Sequence, residues 1–389
     1  MKDTIKNKKE YDLIVIGAGS GGVRAARIAA NHGAKVAIIE SVRVGGTCVL
    51  RGCVPKKLLV YGAHIAHDLE DAAGFGWNIG SIEHDWAKLI HSKDKELDRL
   101  NNIYLNLLSK VDIINGFGKI ISNNEVEINS NIIKANKILI AVGGKPFLPK
   151  IKGIDLCINS DQALDLKELP KKIIINGGGY IALEFAAIFA SFGSDVTLIY
   201  RGKNLLRGFD YDISRLIKEE YIKSNIKVLT ETEITSISKT KDALSVTLNN
   251  NKNIVSNEVM FATGRVPNTK GLGLGDIGVK TGLVGEIIVD KNNQTNIDNV
   301  YAIGDVTNRI NLTPVAIAEG QVFSDNYFGG MTRVCDYENV ASAVFSQPAI
   351  GVVGVNELEA NNLYGEDGGI DVYKTSFKPM KQTLGGRDT

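Results

Sequence analysis

Two stretches of the chain repeat one pattern of apolar and polar positions. They are YDLIVIGAGSGGVRAARIAANHGAKVAIIE at residues 11–40 and KKIIINGGGYIALEFAAIFASFGSDVTLIYR at residues 171–201. In each stretch, a continuous apolar run that meets a glycine cluster predicts a buried strand, and the positions after the glycines predict a helix. A second apolar run closes each stretch. The pattern therefore predicts two strand–turn–helix–strand units of an α/β protein with parallel sheets.

The turns of the two units carry the glycines expected at a nucleotide site. They are Gly17, Gly19 and Gly22 in the first unit and Gly177 and Gly179 in the second. Such glycines let the backbone approach a pyrophosphate, and the following helix N-terminus supplies N–H donors and the positive end of its dipole. Each turn is therefore predicted to bind a dinucleotide. One such motif alone is weak, and two plain glycine-rich turns are the alternative.

The two units differ at the end of their second strand. Glu40 closes the first unit, whereas the matching position of the second holds Tyr200, followed by Arg201 and later by Arg207. A carboxylate accepts from a ribose 2′-hydroxyl and repels a 2′-phosphate, while a guanidinium binds one. The first site therefore suits FAD or NAD, and the second suits NADP. Arg201 as an exposed surface cation is the alternative.

Three further apolar strands end in turns of the same kind, at residues 135–144, 259–268 and 299–306. Ligands of open α/β sheets sit at the carboxyl ends of strands, so these turns are predicted to add cofactor contacts. The candidates are Gly144, Gly264, Arg265 and Asp305. Asp305 is predicted to bind a cofactor hydroxyl, with a capping role as the alternative.

The order of the strands predicts the domain organisation. A chain of 389 residues is too long for one hydrophobic core. One nucleotide domain, residues 143–265, is predicted to be inserted into another formed by residues 1–142 and 266–335. Both are expected to be Rossmann-like domains of three layers.

Composition excludes several classes of partner. The net charge is +1, which argues against binding to nucleic acid or an anionic membrane surface. There are 41 glycines but only 8 prolines, so the glycines belong to tight turns and not to disordered linkers. No apolar stretch approaches the ~18 residues of a membrane span, and no signal sequence is recognisable, so a cytoplasmic protein is predicted.

Two of the four cysteines lie close together in GTCVLRGCVPKK, residues 46–57. Residues five apart in a regular helix rise about 7.5 Å, whereas bridged Cα atoms lie within about 6.8 Å. A bond between Cys48 and Cys53 therefore requires a distorted helix, for which Gly52 and Pro55 are suitable. The closed loop is short, so the bond would stabilise the fold little. The pair is interpreted as a working dithiol.

A zinc site is the competing interpretation of this pair. Zinc would require CxxC spacing and further ligands, but Cys157 and Cys335 are isolated, and His64 and His67 lie in a helical stretch without a partner set. A buried pair of unrelated thiols is a further alternative in a reducing compartment. No metal site is predicted.

The stretch GGTCVLRGCVPKK, with GAGSGGVRAAR before it and GGGYIALEFA after it, resembles the FAD-dependent pyridine nucleotide–disulfide oxidoreductases. Within that family it is most similar to the branch that reduces glutathione disulfide with NADPH and maintains cell redox homeostasis. The resemblance implies that Cys48 attacks the substrate disulfide and that Cys53 contacts the flavin. It also implies that Lys56 lies at the flavin N5 and that Glu184 pairs with it. A dihydrolipoamide dehydrogenase-like enzyme that uses NAD is the alternative.

The resemblance also assigns cofactor residues. It implies that FAD and NADP are the cofactors, and that Tyr180 covers an empty nicotinamide pocket. The remaining positions assigned to the cofactors are Gly17, Gly19, Ser20, Gly22, Glu40, Gly46, Thr47, Lys56, Gly144, Gly177, Gly179, Ile181, Glu184, Arg201, Arg207, Gly264, Arg265, Asp305 and Thr313.

Glutathione disulfide is implied as the substrate by a set of polar and cationic positions. Ser20, Arg27 and Tyr104 match glutathione contacts, and Arg24 adds a second cation to the same helix. Cations suit an anionic disulfide, whereas a polyamine-linked disulfide would favour acids. Asn326 departs from the family pattern, because some relatives have an arginine there.

The C-terminal part departs further. The family has a histidine backed by a glutamate near its C-terminus, which serves the thiols of the partner subunit in a homodimer. The five histidines of this sequence are His32, His64, His67, His84 and His91. Residues 336–389 therefore resemble only part of an α+β dimerisation domain, either in a fragment or in a truncated product. Cofactor binding without full turnover, or peroxide-producing NADPH oxidation, remains an alternative function.

Overall fold

The computed structural model describes residues 10–365 and 369–387. They divide into two compact units. The first comprises the described residues up to Val54, Lys95–Lys145 and Arg265–Glu338. The second comprises Pro55–Asp94, Pro146–Gly264 and the described residues from Asn339 onward. The sequence assigned residues 55–94 to the first nucleotide domain, whereas they pack with the second unit. Which cofactor each segment serves stays a prediction.

The elements follow in chain order. The strands are β1 Glu10–Ile16, β2 Val36–Glu40, β3 Asp112–Asn115, β4 Lys119–Ile120, β5 Glu125–Ile128, β6 Asn131–Ile140, β7 Gly144–Pro146, β8 Lys172–Asn176, β9 Asp195–Ile199, β10 Lys227–Leu229, β11 Ile234–Lys239, β12 Leu244–Leu248, β13 Asn253–Ser256, β14 Glu258–Phe261, β15 Arg265–Pro267, β16 Val300–Ala302, β17 Ser342–Val344 and β18 Ile350–Val352. The helices are α1 Ser20–Asn31, α2 Gly46–Leu50, α3 Cys53–Asp71, α4 Trp86–Leu107, α5 Ser160–Ala163, α6 Tyr180–Ser191, α7 Tyr211–Lys223, α8 Thr313–Phe328, α9 Glu357–Tyr364 and α10 Gln382–Gly385.

The first unit is built on a mixed sheet in the order β3-β2-β1-β6-β5-β4, with β16 pairing along β6. Strands β1, β2, β3, β6 and β16 are parallel, and β4 and β5 form an antiparallel extension. Ile16, at the end of β1, pairs with Ile39 and Ile140. Continuous apolar strands form because separate hydrophobic clusters cover this sheet. The predicted unit β1–α1–β2 is confirmed.

Helices α1 and α8 pack closely within the first unit. A Cβ added to Gly320 would lie 2.5 Å from the Gly21 carbonyl oxygen, so only a glycine fits at this crossing. The Ser324 hydroxyl donates to the Ala25 carbonyl at 2.8 Å. The alanines on the buried face of α1 leave room for this approach. The contact places residues of α8 directly beside the polar face of α1.

The second unit holds the second predicted βαβ unit, β8–α6–β9. Its parallel sheet has the order β10-β9-β8-β14. Apart from Glu184, the residues of helix α6 from Ala182 to Phe189 are apolar, and all of them are buried, as expected for a helix packed on every side. Strands β11, β12 and β13 form an antiparallel sheet, and β17 and β18 form an antiparallel pair. The predicted α/β fold class is therefore confirmed.

Within the described residues, no helix has both the length and the apolar character needed to cross a membrane.

Candidate functional site

The first glycine turn packs so tightly against neighbouring backbone that three of its positions have no room for a side chain. Gly17 has φ 105°, and a Cβ there would lie 2.5 Å from the Ala141 carbonyl oxygen. A Cβ at Gly22 would lie 2.0 Å from the Gly17 oxygen, and one at Gly46 would lie 2.4 Å from the Gly19 Cα. Gly19 caps α1, so the first N–H groups of the helix face this turn. The turn therefore fits a pyrophosphate held by backbone donors.

Glu40 is fixed at the edge of this turn. One carboxylate oxygen accepts the Ala18 N–H at 2.8 Å, and the other accepts the Val42 N–H at 2.9 Å. A carboxylate has about four acceptor positions, so both oxygens keep capacity for a ribose hydroxyl. Its contact with the cofactor stays a prediction.

Asp305 lies in a short 3₁₀ segment, Gly304–Thr307, that follows β16. Burial raises the pKa of the Asp305 carboxyl, and the charge of Arg265 opposes that rise. The Arg265 guanidinium also donates to the Gly144 carbonyl oxygen. Three positions predicted separately therefore belong to one polar site of the first unit.

The sequence missed the residue that supports this segment. Glu319 of α8 is buried and accepts the Gly304 N–H at 2.6 Å and the Tyr337 hydroxyl at 2.7 Å. Glu319 thereby fixes the backbone that carries Asp305. No sequence motif around Glu319 predicts these hydrogen bonds.

The helix between the two close cysteines is interrupted, as their spacing predicted. Helix α2 ends at Leu50 and α3 begins at Cys53. The Arg51 N–H donates to the Thr47 oxygen at 2.8 Å, and a Cβ at Gly52 would lie 2.9 Å from that same oxygen. The tight turn therefore requires the small residue that the sequence supplies.

Both cysteines of this turn are half-buried. A hydrogen bond to Cys53 is the main cause that raises the pKa of the Cys48 thiol, and burial adds to it. The Cys53 sulfur also lies 3.8 Å from the hydroxyl oxygen of Thr313, the first residue of α8. The pairing of Cys48 with Cys53 stays a prediction, but the two thiols do interact. Thr313 was expected at a flavin and also proves to be a neighbour of the thiols.

No group of three or more histidine, cysteine, aspartate or glutamate side chains in residues 10–365 and 369–387 could hold a metal ion. The zinc interpretation of the cysteine pair therefore has no support among the residues that the structure describes.

Four predicted residues of the first unit form one electrostatic group, which we call the Tyr104 cluster: Cys48, Arg24, Arg27 and Tyr104. Burial raises the pKa of Tyr104, the Cys48 charge adds to that rise, and the charges of Arg24 and Arg27 oppose it. Ser20 begins the same helix as both arginines. One thiol and two cations therefore act on the same tyrosine side chain, and cations in this part of the first unit suit an anionic disulfide.

The second glycine turn repeats the geometry of the first. A Cβ at Gly177, where φ is 155°, would lie 2.4 Å from the Ala262 oxygen. The Tyr200 ring covers Gly178, where a Cβ would lie 2.5 Å from the ring. Gly179 caps α6 and has open space around it, and Tyr180 and Ile181 begin the helix. This end of the helix is therefore shaped for a phosphate.

The predicted phosphate cations lie in the loop between β9 and α7. Arg201 and Arg207 are both exposed, and neither forms an ion pair with any described residue. Gly264, after β14, has φ 129° and accepts the Phe147 N–H at 2.9 Å. The two guanidinium groups therefore remain accessible to an anionic ligand, while their role toward NADP stays a prediction.

Lys56 and Glu184 form a buried ion pair in the second unit, as the resemblance implied. Burial raises the pKa of Glu184, and the charge of Lys56 and its hydrogen bond oppose that rise. The Phe345 N–H donates to the Glu184 carboxylate at 2.7 Å. The Lys56 ammonium also lies 5.4 Å from the ring centres of Tyr180 and Phe345. One carboxylate and two aromatic rings therefore surround the Lys56 ammonium. Of these three partners, Phe345 was not among the site residues predicted from the sequence.

Comparisons with known proteins agree with this geometry. The family model of the pyridine nucleotide-disulphide oxidoreductases matches residues 11–320. The glutathione reductase of Burkholderia cepacia is 46% identical over 98% of this chain and 85% of that protein. The glutathione reductase of a Nostoc species is 44% identical over 97% of this chain and 85% of its own length. The chloroplastic/mitochondrial glutathione reductase of Pisum sativum is 47% identical over 97% of this chain and 70% of its own length.

A solved structure resembles the chain as well. The HOCl-induced flavoprotein disulfide reductase RclA from Escherichia coli has a TM-score of 0.83 and 30% identity, over 90% of this chain and 79% of that protein.

Proposed function

Because this chain belongs to the pyridine nucleotide-disulphide oxidoreductase family, we propose that it reduces glutathione disulfide with NADPH, through FAD and the thiols of Cys48 and Cys53. The observation that carries the proposal is the interrupted helix in which the Cys48 and Cys53 thiols interact, with Cys48, Arg24 and Arg27 all acting on Tyr104. The likeness to three glutathione reductases over at least 97% of the chain supports the choice of substrate.

The residues of the first unit fit FAD. The Gly17–Gly22 turn packs so closely on its own backbone that Gly17 and Gly22 leave no room for a Cβ, and Glu40 accepts a hydrogen bond from Ala18 within it. Asp305 lies in the 3₁₀ segment Gly304–Thr307, which follows β16 of the same sheet, and Glu319 accepts a hydrogen bond from the backbone of that segment. When bound, FAD accepts two electrons from the nicotinamide and passes them to the sulfur pair. The protein would supply backbone N–H donors to the pyrophosphate and carboxylates to hydroxyl groups of the cofactor. Its glycines keep side chains away from the pyrophosphate.

The thiols carry out two exchange steps. The Cys48 thiolate attacks one sulfur of glutathione disulfide, so that a mixed disulfide forms and one glutathione leaves as a thiolate that takes up a proton. The Cys53 thiolate then attacks the Cys48 sulfur, the second glutathione leaves, and a Cys48–Cys53 bond forms. The two electrons that reopen this bond come from NADPH. Arg24 and Arg27 attract the carboxylates of the substrate to Cys48.

The second unit is proposed to bind NADPH. The capped α6 helix would take the pyrophosphate, and Arg201 with Arg207 would take the 2′-phosphate. Lys56 comes one helical turn after Cys53 in α3, and its ammonium pairs with the Glu184 carboxylate. A fixed cation at this point would favour a reduced flavin.

We also propose that the protein forms a homodimer and that it is located in the cytoplasm. The described residues beyond Asn339 expose several large apolar side chains, which is typical of a surface that binds another protein. They are Val353, Val355, Leu358, Leu363, Tyr373, Phe377 and Met380. A close pair of cysteines that works as a dithiol suits a reducing compartment.

Steady-state oxidation of NADPH by the purified flavoprotein tests the function. We expect turnover with glutathione disulfide that clearly exceeds turnover with lipoamide or with a polyamine-linked disulfide. Rapid reduction of the flavin without turnover of any disulfide would contradict the proposal and favour a flavoprotein that only binds its cofactors.

Replacing Arg201 with alanine is expected to weaken NADPH selectively. Loss of one charge-assisted contact to a phosphate should raise the KM for NADPH by roughly tenfold to a hundredfold, because such bonds contribute about 1.5–3 kcal/mol. The KM for NADH should hardly change, because NADH lacks that phosphate. Arg215→Ala is the matched control, since Arg215 is an exposed cation of α7 that lies 3.8 Å from Asp212. A native preference for NADH, or equal effects on both nucleotides, would remove the phosphate argument.

A further inference from the structure

A chain of hydrogen bonds leads from the Tyr104 cluster into helix α8. The Arg24 guanidinium on α1 donates to the Gln321 side-chain oxygen at 3.2 Å. The Gln321 amide nitrogen then donates to an Asp325 carboxylate oxygen at 2.9 Å. Residues 297 positions apart in the sequence therefore share one polar connection.

The Asp325 carboxylate fixes which way the Gln321 amide faces. An ionised carboxylate only accepts hydrogen bonds, so the NH₂ group of Gln321 must point at it. The amide oxygen is consequently turned toward α1, where it can accept from a guanidinium. A flipped amide would present its NH₂ group to Arg24 and its oxygen to Asp325, which would lose both bonds.

Asp325 itself is firmly anchored. Its side chain is buried, with 3% of the residue exposed, and it also pairs with His32 at 3.0 Å and with Arg333. Burial alone would raise the pKa of Asp325, but the hydrogen bonds from His32, Gln321 and Arg333 outweigh it and hold the pKa below its ordinary value. The carboxylate is therefore charged at neutral pH, and it acts as a fixed acceptor behind Gln321.

The backbone around this chain leaves little freedom. Gly21 and Gly320 bring α1 and α8 into direct contact next to Arg24 and Gln321. The Ser324 hydroxyl adds a further bond from α8 to α1. The Gln321 amide therefore cannot follow Arg24 if the arginine moves away.

We propose that Gln321 is a positioning residue that holds the Arg24 guanidinium within the Tyr104 cluster, so that Arg24 selects disulfides that carry carboxylates. The choice of substrate rests on the proposed function, whereas the hydrogen bond from Arg24 to Gln321 and the shared action of Arg24 and Cys48 on Tyr104 do not. Without Gln321, the arginine keeps its charge but regains rotamer freedom, so it binds a carboxylate less well.

Steady-state kinetics test the proposal in turnover. Gln321→Leu and Arg24→Gln are each expected to raise the KM for glutathione disulfide by roughly twofold to tenfold, because an immobilised side chain is lost as a binding group. The kcat, the KM for NADPH and the flavin spectrum should stay close to native. In the double variant the two effects should not add, since Gln321 acts only through Arg24. Arg43→Gln is the matched control, because it removes an exposed cation of the first unit that pairs with Asp98.

A second measurement needs no turnover. Iodoacetate is an anion and iodoacetamide is neutral, so the ratio of their rates of Cys48 alkylation in the reduced protein reports on nearby cations. We expect this ratio to fall in Gln321→Leu and in Arg24→Gln, to fall no further in the double variant, and to stay native in Arg43→Gln. Peptide mass spectrometry assigns the alkylated cysteine.

The two experiments separate two failures. A native protein that does not reduce glutathione disulfide, but shows the expected alkylation ratios, overturns the proposed function and keeps the positioning role. A native ratio in Gln321→Leu, or additive effects in the double variant, overturns the positioning role.

Discussion

Replacing Cys48 with serine is expected to abolish reduction of glutathione disulfide while leaving reduction of the flavin by NADPH intact. A serine hydroxyl is not ionised at neutral pH and cannot form a sulfur–sulfur bond, so the first exchange step is lost. We expect kcat to fall by at least ~1,000-fold, which corresponds to about 4 kcal/mol in activation free energy. Absorbance of NADPH in the steady state and of the flavin in a single turnover measures the two steps separately.

Cys53→Ser should block the same reaction at its second step. Cys48 would still attack glutathione disulfide, but no thiol would resolve the product, so a mixed disulfide on Cys48 should accumulate. Mass spectrometry of the intact protein detects the added glutathione. This variant therefore distinguishes the two thiols, which the structure places in contact with each other.

Cys157→Ser is the control for both variants. Cys157 is buried in the second unit, where its sulfur lies 3.8 Å from the Gly153 carbonyl oxygen, so a substrate disulfide cannot reach it. Its replacement should leave turnover close to native. Loss of NADPH that depends on oxygen and persists unchanged in Cys48→Ser would contradict the proposal and indicate an NADPH oxidase.

Replacing Glu184 with leucine is expected to destabilise the second unit by about 3–5 kcal/mol, because it leaves the ammonium of Lys56 buried without a counter-ion. The substitution also removes the acceptor of the Phe345 N–H. Adding Lys56→Met should recover a large part of the lost free energy of unfolding, since the uncompensated charge is then gone. The urea midpoint of each variant measures these changes.

Tryptophan fluorescence makes this measurement specific for the second unit. The chain has 2 tryptophans, Trp77 and Trp86, and both lie in Pro55–Asp94. Asp195→Ala is the control, because Asp195 pairs with Lys172 at 3.6 Å on the surface, with side chains 62% and 61% exposed. Such a pair contributes no more than about 1 kcal/mol. If Glu184→Leu changes the midpoint no more than Asp195→Ala does, the buried pair is not what stabilises α6 against α3.

Local features of the fold were readable from the sequence because their causes are local. The turns at Gly17 and Gly177 need positive φ and space for a passing carbonyl, and only glycine satisfies both conditions. The break between Cys48 and Cys53 follows in the same way from their spacing and from Gly52. The sequence did not predict that residues 55–94 pack with the second unit. Helix α3 begins at Cys53 and continues without a break into these residues, so no local signal marks the change of unit.

The contacts between distant side chains depended on packing. The resemblance suggested that Lys56 meets Glu184, but Phe345 carries no local signal of its bond to that carboxylate. Thr313 was assigned to a flavin, and its place 3.8 Å from the Cys53 sulfur depends on where α8 begins. Glu319 looked like an ordinary helical acid until its bond to Gly304 was visible.

The sequence by itself determined the two glycine turns, the reactive spacing of the cysteines and the contrast between Glu40 and Arg201, because each depends on neighbours a few residues away. Only the tertiary structure decided which side chains support them. Gln321 meets Arg24 because Gly21 and Gly320 let two helices touch, and a bond across 297 positions has no counterpart in any local pattern.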